Sequence, residues 1–378
     1  MKNYFGTDKA FRFEFPLDGD CVNKYDGVEH DGILTITARV VTGNGTDDVY
    51  INEKKAVFKD GAYVCDADIT GYRNTLFADN RTTGEQTKIA VYKISDCIGK
   101  YRLSSDDNIL FLADINDHKD VYKSVFENPY LAVYKKAHDL YGAKVHLNLF
   151  YEFDDVAASK FSTKRDYFNL SMMTDKFKDE FIANSDWLKF SFHAKSEFPD
   201  EPYRNATFTQ AFNDIQRTHK EIIRFAGKET LSNVCTLHWG EGNIAVVRAL
   251  RQSGYEGLTG YFEVRPSGRP LVAYYYPADF VKHVGARDFW KDTDEDVMYG
   301  RIDKVLNEIT LEQVIPTLEN IYSQPHRAGF MSVMIHEQYF HSDYRRYIPE
   351  FEQIVLTACK WLSEHGYTGA HMSETMFR

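Results

Sequence analysis

Apolar and polar positions alternate through the N-terminal part of the chain. Gly32-Ile-Leu-Thr-Ile-Thr-Ala-Arg-Val-Val runs into a turn cluster, Thr42-Gly-Asn-Gly-Thr-Asp-Asp. Val49 to Phe58, the turn Lys59-Asp60-Gly61 and Ala62 to Ile69 read as a hairpin, and Lys88 to Ile94 gives another alternating strand. Short strands separated by Gly/Asn/Asp turns predict an all-β sandwich of about 100 residues, here 1–105. The segment 97–107 is not rich in Pro or Ser over any length. It therefore predicts a sandwich packed against the remainder of the chain, not a module on a flexible linker.

From about residue 106 the texture changes to strands alternating with helices. Ile109-Leu-Phe-Leu-Ala predicts a strand ending at Asp114. Tyr130, Val133, Tyr134, Ala137 and Tyr141 share one helical face, and Gly142 stops that helix. Strands are then predicted at Lys144–Phe150, Trp187–His193, Asn233–His238, Gly257–Phe262, Leu271–Tyr276, Phe330–His336 and Thr368–Met372, with helices at Phe208–Ala226 and Ile244–Ser253. A last helix opens with Pro349 at a first-turn position and ends at Gly366. Seven or eight such alternations favour a distorted, closed (β/α) barrel over 106–378.

Composition narrows the functions. The 378 residues carry 45 Lys+Arg against 56 Asp+Glu, a net charge of −11, which argues against nucleic acid or an anionic membrane as partner. No run approaches a membrane helix, the start does not read as a signal peptide, and no Gly-rich phosphate loop supports a nucleotide cofactor. Five scattered cysteines fit reduced thiols in a cytoplasmic protein. Aromatic residues make up 15% of the chain, with 25 Tyr and 27 Phe, which suits sugar binding and ordinary cores alike.

Reactive residues of a (β/α) barrel come from the C-terminal ends of its strands. Four predicted strands end in such residues: Asp114-Ile-Asn-Asp117, His193-Ala-Lys-Ser-Glu197, His238-Trp-Gly-Glu241 and His336-Glu337. His336, Glu337 and His341 do not form the H-E-x-x-H zinc helix, because the histidines are five apart and follow a strand. The basic run Tyr344-Arg-Arg-Tyr suits an acidic sugar or phosphate, or equally a solvated helix entrance.

This constellation resembles the polysaccharide deacetylase family, a distorted (β/α) barrel that removes acyl groups from amino sugars. The N-terminal layout is similar to the immunoglobulin-like modules attached to bacterial carbohydrate enzymes. The family's T-F-D-D-G motif supplies a base and then a metal ligand. Matched to it, Asp114 takes the ligand's place, with Ala113 where the base should stand, or the base's place, with Ile115 where the ligand should stand. His193 and Glu197 stand at the H-x-x-x-H motif, where two side chains four apart on a helix reach one ion. His238 and Trp239 occupy the place of R-x-P-x-G, lacking its Arg and Pro, and imply substrate contact. His336 matches the late L-x-H histidine, the general acid.

The resemblance implies a metal-dependent carbohydrate deacetylase with a divalent ion, zinc first, on Asp114, His193 and Glu197. His336 would be the acid, and Asp117 or Glu241 would replace the missing base. Two alternatives remain open: a glycosidase pairing Asp114 with Glu197 or Glu241, and a non-catalytic carbohydrate-binding barrel.

Overall fold

The computed structural model of the chain describes residues 2–161, 165 and 167–377. They fall into two compact units, 1–97 with 289–298 and 375–378, and 98–288 with 299–374. No helix among the described residues is long and apolar enough to cross a membrane. The five cysteines are free thiols.

Two five-stranded sheets make up the first unit. One centres on Ile33–Val41 paired antiparallel with Ala62–Ile69, the other on Arg73–Asn80 paired antiparallel with Glu85–Lys93. Alternation decides which face is buried: Leu34, Ile36, Ala38 and Val40 point inward from one strand, Leu76 and Ala78 from another, and they join a single apolar cluster.

In the second unit a six-stranded parallel sheet runs Leu188–Ala194, Val145–Phe150, Lys100–Asn108, Phe330–His336 and Lys304–Val305, with Thr368–Gly369 beside the start of the Lys100–Asn108 strand. Val234–Cys235 and Gly257–Gly260 pair in parallel within a separate sheet. The expected closed barrel is therefore not present as a continuous hydrogen-bonded ring among the described residues. Between the two sheets the ladder thins to one bridge, Phe190 to Leu231, so the strands curve without closing.

The helices at Pro129–Tyr141, Phe208–Ala226 and Ile244–Gln252 lie where the apolar periodicity puts them. Asn128 caps the first and Gly142, with φ +65°, ends it. Two expected strands are corrected. The apolar run at Ile109 is the entrance of a helix, Leu110–Asp117, with Leu110 to Ala113 and Ile115 all buried. Too short a run to show a period, it reads alike as buried strand or buried helix. In the Leu271–Tyr276 segment only Pro270–Leu271 is strand, because Val272 and Tyr274 take positive φ.

The central strand, Lys100–Asn108, is the polar sequence KYRLSSDDN, and every residue after Lys100 is buried. A hydrogen-bonded chain links several of its polar side chains to the neighbouring strands. Arg102 Nη2 donates to His146 Nδ1 at 3.1 Å, His146 Nε2 to Ser191 Oγ at 2.8 Å, and Ser191 Oγ to Asn148 Oδ1 at 2.5 Å. Asn148 Nδ2 then donates to Asp106 Oδ1 at 2.6 Å. Every donor in this chain points from the guanidinium towards the carboxylate, so each bond polarises the next. Burial pushes the Arg102 guanidinium down to about 10, with the Asp106 charge opposing it.

Candidate functional site

Two β-bulges build the site at the C-terminal ends of the parallel strands. Across from Val145–Phe150, Ser105 pairs with Leu147 and Asn108 with Leu149, so Asp106 and Asp107 are crowded against one residue. Asp107 adopts φ +61°, a conformation Asp tolerates better than most L-residues. On the other flank Leu149 pairs with Phe192 and Phe150 with Ala194, which leaves His193 as the surplus residue. Bulges re-aim side chains. Here they turn Asp107 and His193 towards each other.

His193 Nε2 lies 3.0 Å from Asp107 Oδ1, and His238 Nδ1 lies 3.3 Å from the same oxygen. The two ring nitrogens are 3.1 Å apart. Their other nitrogens face carbonyl oxygens, which only accept: His193 Nδ1 donates to Thr236 O at 2.5 Å and His238 Nε2 to Glu197 O at 3.1 Å. Both rings therefore carry their protons on the outer side. Two imidazole lone pairs and a carboxylate oxygen converge on one point, an electron-rich corner that a cation stabilises. The three side chains are buried and form a set that can hold a metal ion. Two imidazoles and a carboxylate suit zinc-like divalent ions.

Burial by itself would raise the Asp107 carboxyl. The neighbouring His336, His193 and His238 rings outweigh it and hold the group well below the usual carboxylate range. Gln338 Nε2 donates to Asp107 Oδ2 at 2.7 Å. His336 Nε2 lies 3.9 Å from that oxygen. Asn307 Oδ1 accepts both the backbone N–H of His336, at 3.0 Å, and its Nδ1–H, at 2.9 Å. That leaves Nε2 of His336 as the atom able to take up or release a proton.

A cavity of about 740 Å³ opens on this corner, lined among others by Asp106, Asp107, His193, His238, Trp239 and His336. Its volume is that of pockets that enclose a small organic ligand. Trp239 is 39% exposed and has φ +61°.

Of the residues singled out in the sequence, His193, Glu197, His238, Trp239 and His336 line this cavity, while Asp114, Asp117 and Glu241 do not. Asp114 sits on the Leu110–Asp117 helix and accepts from Tyr122 Oη at 3.0 Å and Asn128 Nδ2 at 2.7 Å, a structural tie to the next helix. Asp117 pairs with Arg165 at 2.7 Å. Glu241 faces Arg269 and lines a different cavity of about 240 Å³. Glu197 follows the strand in an irregular segment, so the one-turn helical argument does not apply to it. It offers its backbone carbonyl to His238, and burial, then the Asp107 charge, raises its carboxyl well above the usual range. In both glycosidase pairings Asp114 lies outside this cavity.

Asp106 and Asp107 were missed as site residues. They form an adjacent Asp-Asp pair in Ser104-Ser105-Asp106-Asp107-Asn108, just upstream of the Leu110–Asp117 helix. The signal was the Asp-Asp dipeptide itself, read instead as part of a domain boundary. Glu337, also buried, turns away from the metal corner and caps that helix: its Oε2 accepts from the N–H of Ile109 at 2.6 Å and of Leu110 at 2.9 Å, and its Oε1 from Phe111 at 2.5 Å.

No family model and no curated protein matches the sequence. Among solved structures, a peptidoglycan N-acetylglucosamine deacetylase in complex with 4-naphthalen-1-yl-N-oxidanyl-benzamide aligns at 11% identity, covering 75% of this chain and 90% of its own, with a TM-score of 0.39. A wild-type CE4 family pseudoenzyme from Bacillus anthracis aligns at 10% identity over 80% of this chain and 83% of that one, TM-score 0.34. A mutant CE4 family pseudoenzyme with restored enzymatic activity aligns at 13% identity over 78% of each chain, TM-score 0.32. Likeness at this level assigns neither activity nor ligand.

Proposed function

We propose that the second unit is a distorted barrel acting as a metal-dependent hydrolase on N-acylated amino sugars, a carbohydrate deacetylase, and that the N-terminal unit is its immunoglobulin-like sandwich. The observation that carries this reading is the convergence of Asp107 Oδ1, His193 Nε2 and His238 Nδ1, with both ring protons turned outward. These three atoms would hold a divalent ion, with zinc the first choice. When bound, the ion supplies Lewis acidity to the acyl carbonyl and to water.

Asp106 is the base in this reading. It lines the cavity next to Asp107, and Asn148 holds one of its oxygens at 2.6 Å, leaving the other to take a proton from water. His336, tethered at Nδ1 by Asn307, delivers a proton from Nε2 to the departing nitrogen. Trp239 offers an aromatic face for a sugar ring. His238 thus takes the ligand place that the resemblance gave to Glu197, and Asp107 that of Asp114.

Metal analysis and acetate release test this together. Wild-type protein is expected to bind about one zinc per chain and to release acetate, not reducing ends, from N-acetylated oligosaccharides. Asp107→Asn, His193→Ala and His238→Ala should lose the metal, whereas Glu197→Gln should keep it. Wild-type protein that takes up no divalent ion would overturn the reading.

A further inference from the structure

The metal corner does not use two arginines of the same cavity. Arg265 and Arg346 both line it and both are exposed to solvent. Neither is ion-paired with a carboxylate among the described residues. Arg269 provides the contrast: four positions from Arg265, it is matched by Glu201 and Glu241. Arg346 hydrogen-bonds the Tyr339 hydroxyl, with the Tyr344 hydroxyl nearby.

Three of the carboxylates that line the cavity have partners of their own. Asp107 faces the histidines, Asp106 accepts from Asn148, and Glu308 pairs with Lys304 at 2.9 Å. Both guanidinium groups thus lack a carboxylate partner among the described residues, in a chain whose net charge is −11. Guanidinium forks match planar or tetrahedral oxyanions with paired hydrogen bonds.

We propose that Arg265 and Arg346 recognise an oxyanion on the substrate, so that the sugar carries a carboxylate, sulfate or phosphate besides its N-acyl group. This rests on the reading of the cavity as an amino-sugar site. It assigns the run Tyr344-Arg-Arg-Tyr to the substrate and not to a solvated helix entrance.

Calorimetric titration at low ionic strength tests the proposal with three probes: neutral N,N′-diacetylchitobiose, an N-acetylated disaccharide bearing a uronate, and N-acetylglucosamine 6-sulfate. Zinc uptake is measured in parallel on the wild type and on the Arg265→Ala/Arg346→Ala double variant. At least one anionic sugar should bind about tenfold more tightly than chitobiose, and the double variant should bring the two within about twofold. Which probe wins separates a carboxylate from a sulfate-like group. Equal affinities in the wild type, or a preference that survives in the double variant, would overturn the proposal. Zinc uptake with no sugar binding would overturn it while leaving the metal reading intact. An anionic preference without zinc uptake would sustain it and sink the metal reading.

Discussion

Glu337 is wholly buried, and its carboxylate replaces the side-chain cap that the Leu110–Asp117 helix lacks. Three backbone N–H groups, from Ile109, Leu110 and Phe111, converge on its two oxygens at 2.5–2.9 Å. Glu337→Ala strands all three donors in a dry interior. Each unsatisfied buried donor costs about 1–3 kcal/mol, and partial entry of water keeps the sum below simple addition, so a loss of about 4 kcal/mol is expected. At roughly 2–4 °C per kcal/mol for a unit of this size, the melting transition should fall by about 8–16 °C. Glu337→Gln keeps one acceptor and turns an amide towards the remaining N–H groups, so about half that loss is expected. Differential scanning calorimetry of the full chain reads both. The helix starts three residues after Asp107, so zinc affinity should weaken alongside. A Glu337→Ala midpoint within about 2 °C of wild type would refute the capping argument.

Further outcomes are expected from the same structure. His336→Ala should lower acetate release by roughly 10²–10⁴-fold on a true substrate; little change in protein that turns over would remove it as the acid. Gly142→Ala should cost about 1 kcal/mol in urea denaturation, because φ is +65° and a Cβ there meets nothing within 4 Å, so the whole cost is backbone strain. Asp288 and Asp303 are buried near each other, and burial, then the other carboxylate in the case of Asp288, raises both, Asp303 to about 6. The folded state then binds protons that the unfolded state has released, so this pair's contribution to stability is lost as pH rises from about 4 through 6. Thermal melts of Asp288→Asn should show a smaller loss of stability over that interval than the wild type; an unchanged slope would exclude the pair as its source.

Apolar periodicity located much of the second unit. The strands Val145–Phe150, Leu188–Ala194 and Phe330–His336 and the long helix Phe208–Ala226 are read directly from it, because their buried faces are made of apolar side chains. It failed at Lys100–Asn108. There a central strand places Arg102, Ser104, Ser105, Asp106 and Asp107 in the interior, stabilised by partners on other strands that no local pattern reveals. Missing that strand shifted the expected site onto Asp114, since the next apolar run inherited its place. His193 and His336, which line the cavity, are legible because each stands at the end of a strand that is itself apolar. Side-chain type alone reads His238 as a substrate contact; that its Nδ1 faces Asp107 depends on backbone placement.

The surplus residues of the two bulges have one more consequence. Asp107 and His193 take no ladder position opposite the Val145–Phe150 strand, so that sheet's register is set by their neighbours and not by them. The frame and the chemistry can thus be inherited separately. Exchange of either side chain would change the lining of the cavity without changing which residues pair along that strand.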